Sequence, residues 1–245
     1  MRSKALAVSI VAVALFASGC GGEKNVVEQK IAKAGDNTSA SSASPTSEAS
    51  PTSEPVKDAG SLMASGFGQK DEYVWVTSLV HNNSDKVGQT VTVQFNAKDK
   101  AGTLVKSESQ VESFSRVGQD LAVGTQMDVP KGTKIATVEA TLLIEDLGVF
   151  SSVPFPEMKT TPVKVVAGQY GDTTANFELS NPTASPIKSP RLGIICYNAA
   201  KKIVGGGVDF PTLVPPSGKV AVEATILTTG KPASCRVFAG GNLDM

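Results

Sequence analysis

Between residues 90 and 97 every second side chain is apolar: Val91, Val93, Phe95 and Ala97 alternate with Thr90, Thr92, Gln94 and Asn96. A two-residue period puts the two sets on opposite faces of an extended strand, whereas a helix would scatter them around its axis. The pattern returns in Leu121, Val123, Thr125, Met127 and Val129, and again in Ala136, Val138, Ala140, Leu142 and Ile144. Residues 73–81 (YVWVTSLVH) are apolar and β-branched. Turn-forming clusters at 82–86, 99–102, 117–119 and 130–132 separate these runs, and no stretch sustains a helical period. The expectation is an all-β chain of antiparallel strands, each burying one face.

The second half repeats the scheme. Residues 177–179 lead to a turn at 181–186, the apolar run 192–197 (LGIICY) follows, and Val220, Val222, Ala224 and Ile226 alternate before a last run at 234–239. Residues 80–84 (VHNNS) correspond to 179–183 (LSNPT), 95–97 to 197–199, and Gly118 before Leu121 to Gly218 before Val220. Matching order and spacing predict a tandem repeat of about 90 residues. The connection at 146–162 carries Pro154, Pro156 and Pro162, which suits a short stiff linker crossed by few contacts.

The N-terminal part differs in kind. Arg2 and Lys4 precede an apolar stretch, residues 5–16, that ends at Ala17-Ser18-Gly19-Cys20. A charged start, a short apolar core and small residues before a cut site make a secretory signal, and the apolar core is too short to span ~30 Å of hydrocarbon as a helix. The small-small-Cys ending resembles the lipobox of bacterial lipoproteins, with Ala17 where Leu is commonest. The resemblance implies cleavage before Cys20 and acylation of its thiol, hence attachment to a bilayer on the extracytoplasmic side of the cell membrane. Residues 36–60 (DNTSASSASPTSEASPTSEPVKDAG) contain no aromatic residue and a single branched aliphatic, Val56. Such a segment buries too little to offset its ordering entropy and reads as a disordered stalk.

Four segments result: a signal peptide at 1–19, a lipidated stalk at 20–60, and β-sandwiches at 61–156 and 157–245. Two units of this size, built of short regular strands, predict tandem immunoglobulin-like antiparallel β-sandwiches on the stalk. The succession of strands and turns resembles the small immunoglobulin-like modules of bacterial lipoproteins of the FxLYD type. Residues 95–99 (FNAKD) keep the Phe and Asp of that motif, with Ala97 and Lys98 in place of Leu and Tyr. The resemblance implies an extracellular adhesive or accessory module.

Cys196 and Cys235 remain after Cys20, and an even pair in an exported chain is expected to form a disulfide. A catalytic thiol would need a base, and the second half contains no histidine. His81, the one histidine, stands at a strand end beside Asn82 and Asn83 without partners at metal-ligand spacing. Asp71, Glu72, Asn82, Asn83 and Asp85 could hold a calcium ion if they met at one end of a sandwich, although ordinary polar loops explain them equally. Gly205-Gly206-Gly207 lacks the strand–loop–helix setting of a phosphate loop and suits a flexible hairpin or a bulge. Tyr73 and Trp75 share a face, expected to be core. Neither catalytic nor metal residues, nor a cofactor, are expected.

Losing residues 1–19 removes Arg2 and Lys4 from 23 basic residues and none of 23 acidic ones, leaving a charge of −2. This near-balance carries no electrostatic footprint for nucleic acid. The sequence therefore points to a membrane-anchored binding or scaffolding module whose partners are the bilayer, through acylated Cys20, and an envelope protein or wall polymer. A structural spacer without a ligand, and a solute-binding or hydrolytic envelope protein, are the competing readings.

Overall fold

A computed structural model describes residues 58–168 and 172–241. The signal peptide, Cys20 and nearly all of the expected stalk lie outside the described residues. Sixteen strands follow one another, with no helix among the described residues: β1 (Gly60–Lys70), β2 (Tyr73–Asn82), β3 (Thr90–Lys98), β4 (Leu104–Ser113), β5 (Asp120–Asp128), β6 (Thr137–Glu145), β7 (Lys159–Thr160), β8 (Lys164–Ala167), β9 (Thr173–Ser180), β10 (Ile187–Lys188), β11 (Arg191–Tyr197), β12 (Ile203–Asp209), β13 (Leu213–Val214), β14 (Lys219–Thr225), β15 (Leu227–Thr228) and β16 (Ser234–Gly240).

The protein is all-β, two immunoglobulin-like antiparallel sandwiches in tandem. In the first, a β1-β2-β5 sheet faces a β4-β3-β6 sheet. In the second, β14-β9-β7, with β8 also on β9, faces β15-β12-β11-β16, and β10 and β13 form a separate ribbon. The pairings β2 with β5 and β3 with β6 recur as β9 with β14 and β11 with β16, the crossed order of a Greek key. Alternation explains the first core: Val91, Val93, Phe95 and Ala97 on β3 are all fully buried, packed with Val74, Val76, Val80, Leu121, Val123 and Met127. Phe177, Leu179, Leu192, Ile194, Val222 and Ala224 form the second core.

The first strand begins one residue earlier than the expected stalk boundary allows. Gly60 opens β1, Ala59 is buried, and its carbonyl accepts the Asn83 N–H at 2.9 Å.

The repeat is closer than the sequence suggested. Asn82 and Asn181, 99 positions apart (181 − 82), make the same clasp at the end of β2 and of β9. Asn82 Nδ2 donates to the carbonyls of Lys86 and Arg116, both at 2.9 Å, and its Oδ1 accepts from the backbone and hydroxyl of Ser84. Asn181 Nδ2 donates to Ser185 O at 2.7 Å and Pro215 O at 3.1 Å, and its Oδ1 accepts from the backbone and hydroxyl of Thr183. The other two correspondences shift. Asn198 Oδ1 caps the N–H groups of Ala200 and Lys202 as Asp99 Oδ1 caps those of Ala101 and Thr103, so Asn198 matches Asp99 rather than Asn96. Gln119 O and Gly218 O accept from Asn82 N and Asn181 N respectively, so Gly218 matches Gln119 rather than Gly118.

Both asparagine side chains are buried, and deleting either amide strips the strand-end backbone carbonyls of their donor. Asn82→Ala and Asn181→Ala are each expected to lower unfolding free energy by ~1–3 kcal/mol. Denaturant titration of the two variants checks this, and two losses within experimental error of zero would contradict it.

The expectation of few contacts across the connection does not hold. The outer face of β1, β2 and β5 lies against β11, β12, β15 and β16, with Ala122, Ile195 and Phe238 buried between them and Leu79, Tyr197 and Ile203 alongside. Glycine makes this approach possible. A Cβ on Gly68 would stand 2.6 Å from the carbonyl oxygens of both Leu227 and Val204, and one on Gly193 would stand 2.7 Å from Ala122 Cβ. Backbone oxygens of a paired sheet cannot step aside, so only glycine fits at Gly68. An ion pair closes one side of the interface: Arg191 Nη2 lies 2.6 Å from Glu112 Oε1, both side chains out of water.

Candidate functional site

A concentration of polar side chains around a concavity lies where the two sandwiches meet. A cleft of about 420 Å³ is lined by His81, Arg116, Gln119, Asp120, Glu157, Arg236 and Phe238. Strand register explains the gathering. His81 and Asp120 are direct partners across β2 and β5, and Arg116 and Gln119 belong to the turn that precedes β5. Arg236 comes from β16 of the second sandwich and Glu157 from the connection.

His81 Nδ1 lies 2.8 Å from Asp120 Oδ1. Burial pulls the Arg116 guanidinium below the usual arginine range, and the nearby Glu157 carboxylate opposes that pull. Arg236 lies over the Phe238 ring, 4.9 Å from its centroid, a cation–π contact. Burial raises the Tyr197 phenol at the cleft's margin, Arg236 opposes that rise, and Asp120 adds to it. Gln119 Oε1 accepts from Ser115 N at 2.7 Å and Arg116 N at 3.1 Å, while its buried Nε2 has no protein partner. Every cation here faces a carboxylate or an aromatic ring, and no hydroxyl or thiol lines the cleft. Such a surface can recognise a small polar group.

A second, shallower groove of about 790 Å³ follows the break between β7 and β8, beside Pro162, Lys164, Glu178 and Glu223. Thr161 fills the break: its N–H donates to Glu178 O at 3.0 Å and its Oγ1 accepts from Glu178 N at 2.9 Å.

Cys20 lies outside the described residues. Cys196 and Cys235 form a disulfide, directly opposite each other on β11 and β16. The five oxygen-bearing residues considered for calcium do not meet: Asp71 and Glu72 turn between β1 and β2, whereas Asn82, Asn83 and Asp85 follow the other end of β2. Among the described residues no group of three or more His, Cys, Asp or Glu is placed to hold a metal ion. Gly205 sits in the expected bulge, where the β11–β12 register slips and φ reaches 133°. Tyr73 and Trp75 do share a face, but it is the outer one: Val74 and Val76 point into the core, Tyr73 is exposed, and a Cβ on Gly206 would lie 3.1 Å from Trp75 Nε1. The cleft itself left no mark in the sequence, since its residues come from turns and strands up to 157 positions apart (238 − 81) and only the sheet packing unites them.

No family model matches the chain, and no curated protein matches it. Among solved structures it is similar to red sea bream transglutaminase, at 13% identity and a TM-score of 0.24, over 71% of this chain and 28% of that one. The chain thus spans little more than a quarter of that structure's length.

Proposed function

We propose that this is an exported lipoprotein, acylated on Cys20 and held on the extracytoplasmic side of the cell membrane, where its two sandwiches act as a non-catalytic binding or scaffolding module. The observation that carries the reading is the run from Arg2 through the apolar residues 5–16 to Ala17-Ser18-Gly19-Cys20, a short secretory signal ending in small residues before cysteine. The Cys196–Cys235 bridge supports it, because disulfides persist in oxidising compartments. The mixed-charge cleft lined by His81, Arg116 and Arg236 favours recognition of an envelope protein or wall polymer over a plain spacer, since a spacer has no need of convergent polar groups. On this reading the FxLYD-like modules are the adhesive part and residues 20–57 the tether.

Cys20→Ala tests it. The variant is expected to leave the detergent phase and collect in the medium, or to accumulate as an uncut precursor. Partition of the variant with membranes at the size of the native protein would overturn the reading.

A further inference from the structure

The chain leaves its proposed tether at one end of the sandwich pair, and strand register identifies what else lies there. Gly60 pairs with Asn82, His81 with Asp120, and Thr90 with both Ser113 and Glu145. The connections 83–89, 114–119 and 146–158 therefore share the end at which the chain arrives. The second sandwich points the same way. Arg191, at the start of β11, donates to Ala122 O at 2.9 Å, and Gly241 N, just past β16, donates to Ser115 Oγ at 3.4 Å. Leu192 pairs with Asp209, which places residues 210–218 at this end too.

These segments expose large apolar side chains. Val117, Leu147, Val149, Val153, Phe210 and Leu213 are all solvent-facing, Val149 at 65% and Val153 at 74%. No charged residue occurs from Leu147 to Pro156, and Lys86 pins the base of that loop through Asp146 at 3.3 Å. The opposite end carries more lysine on its turns, with Lys131, Lys134, Lys201, Lys202 and Lys231 against Lys86 and Lys188 here, and exposes fewer large apolar side chains, Tyr73 and Leu104. Apolar side chains gathered on loop tips at one end of a protein mark a contact surface.

We infer that this end rests on the lipid bilayer, with Val149, Val153, Phe210 and Leu213 dipping into its interfacial layer. The inference rests on the anchor reading above. What selects a bilayer as the occupant is where the outside chain ends. From Cys20 to Asp58 there are 38 positions (58 − 20), a reach of about 35 Å as coil and at most ~130 Å extended. A tether this short holds the apolar end at an effective concentration near ~1 mM relative to the membrane, so weak insertion of a few side chains suffices. The two sandwiches would then stand on the membrane with their lysine-bearing turns outward.

The test uses the full mature chain, acylated on Cys20, in vesicles of dioleoylphosphatidylcholine with or without dibrominated lipid. Val153→Trp and Phe210→Trp place reporters at this end, Tyr73→Trp places one at the other, and Trp75 is common to all. Brominated lipid is expected to quench the added fluorescence of the first two by about half and to leave Tyr73→Trp unchanged, as insertion to acyl depth requires. Adding Val149→Asp and Val153→Asp to Phe210→Trp should abolish its quenching while the protein still floats with the vesicles. Flotation without quenching of Val153→Trp would overturn the proposal and spare the anchor; equal quenching of Tyr73→Trp would overturn the orientation. Failure to float would remove the anchor and the proposal together. Shielding of Val153→Trp in a dimer of unacylated chains would assign the surface to a second copy instead.

Discussion

Glu112→Gln is expected to destabilise the protein by about 3–5 kcal/mol, because it leaves the Arg191 guanidinium buried without its counter-ion. The pair spans the two sandwiches, its side chains 5% and 2% exposed, with Gln110 Nε2 donating to the same carboxylate at 3.0 Å. Burial raises the Glu112 carboxyl and lowers the Arg191 guanidinium, each partner opposing the other's shift. The two groups then differ in what they can do alone. A guanidinium keeps its proton at any working pH, whereas a stranded carboxyl takes one up. Arg191→Met should therefore cost less than Glu112→Gln, and its cost should depend on pH. Without Arg191, the folded-state pKa of Glu112 stands further above its unfolded value. The associated stability is present below the unfolded pKa and lost as pH rises through the folded one. The Arg191→Met deficit should shrink as pH falls from neutral towards about 5, while the Glu112→Gln deficit should not. The double variant should regain most of the loss. Equal, pH-independent losses in the two single variants would contradict a desolvated cross-sandwich pair.

Reduction of the Cys196–Cys235 bridge has the next largest expected effect. It closes a loop of 39 positions, and opening it should cost roughly 4 kcal/mol on the chain-entropy model. The first sandwich supplies the control. At the equivalent register Ala97 faces Val138, where Cys196 faces Cys235, so that site packs without a crosslink. Cys196→Ala with Cys235→Val should melt like the reduced native protein and lose nothing more in dithiothreitol. Because Ile195 and Phe238 of the bridged sheet are buried against Ala122 of the first sandwich, the shift should register in a single transition of the whole protein. Two transitions, only one sensitive to dithiothreitol, would show that the shared face does not couple the sandwiches.

Much of the fold was legible because most strands cover one apolar face. On β3 the alternation of Val91, Val93, Phe95 and Ala97 maps residue for residue onto the core. The reading failed where a second surface was buried. Trp75 and Leu79 alternate against Val74, Val76 and Val80, and a period of two cannot tell the core face from a face covered by another sandwich. β1 carries a weak signal because Phe67 alone packs on the first core, while the side against the second sandwich is Gly66 and Gly68. Buried Glu112 on the polar strand β4 answers to Arg191, far along the chain, so nothing local distinguishes it from a solvated glutamate. At Asn198 the repeat is offset by three residues from the Asn-Ala identity at 96–97 and 198–199, because the shared chemistry is the turn cap made by Asp99 and Asn198.

The proposed function depends on one covalent fact at Cys20. Intact-mass and N-terminal peptide analysis of the protein purified from cell envelopes measures it directly. The account predicts a chain whose first residue is Cys20, heavier than its peptide mass by a thioether-linked diacylglyceryl group, with or without an added amide-linked acyl chain. A chain that retains residues 1–19, that begins at another position, or that carries Cys20 as an unmodified thiol would contradict it.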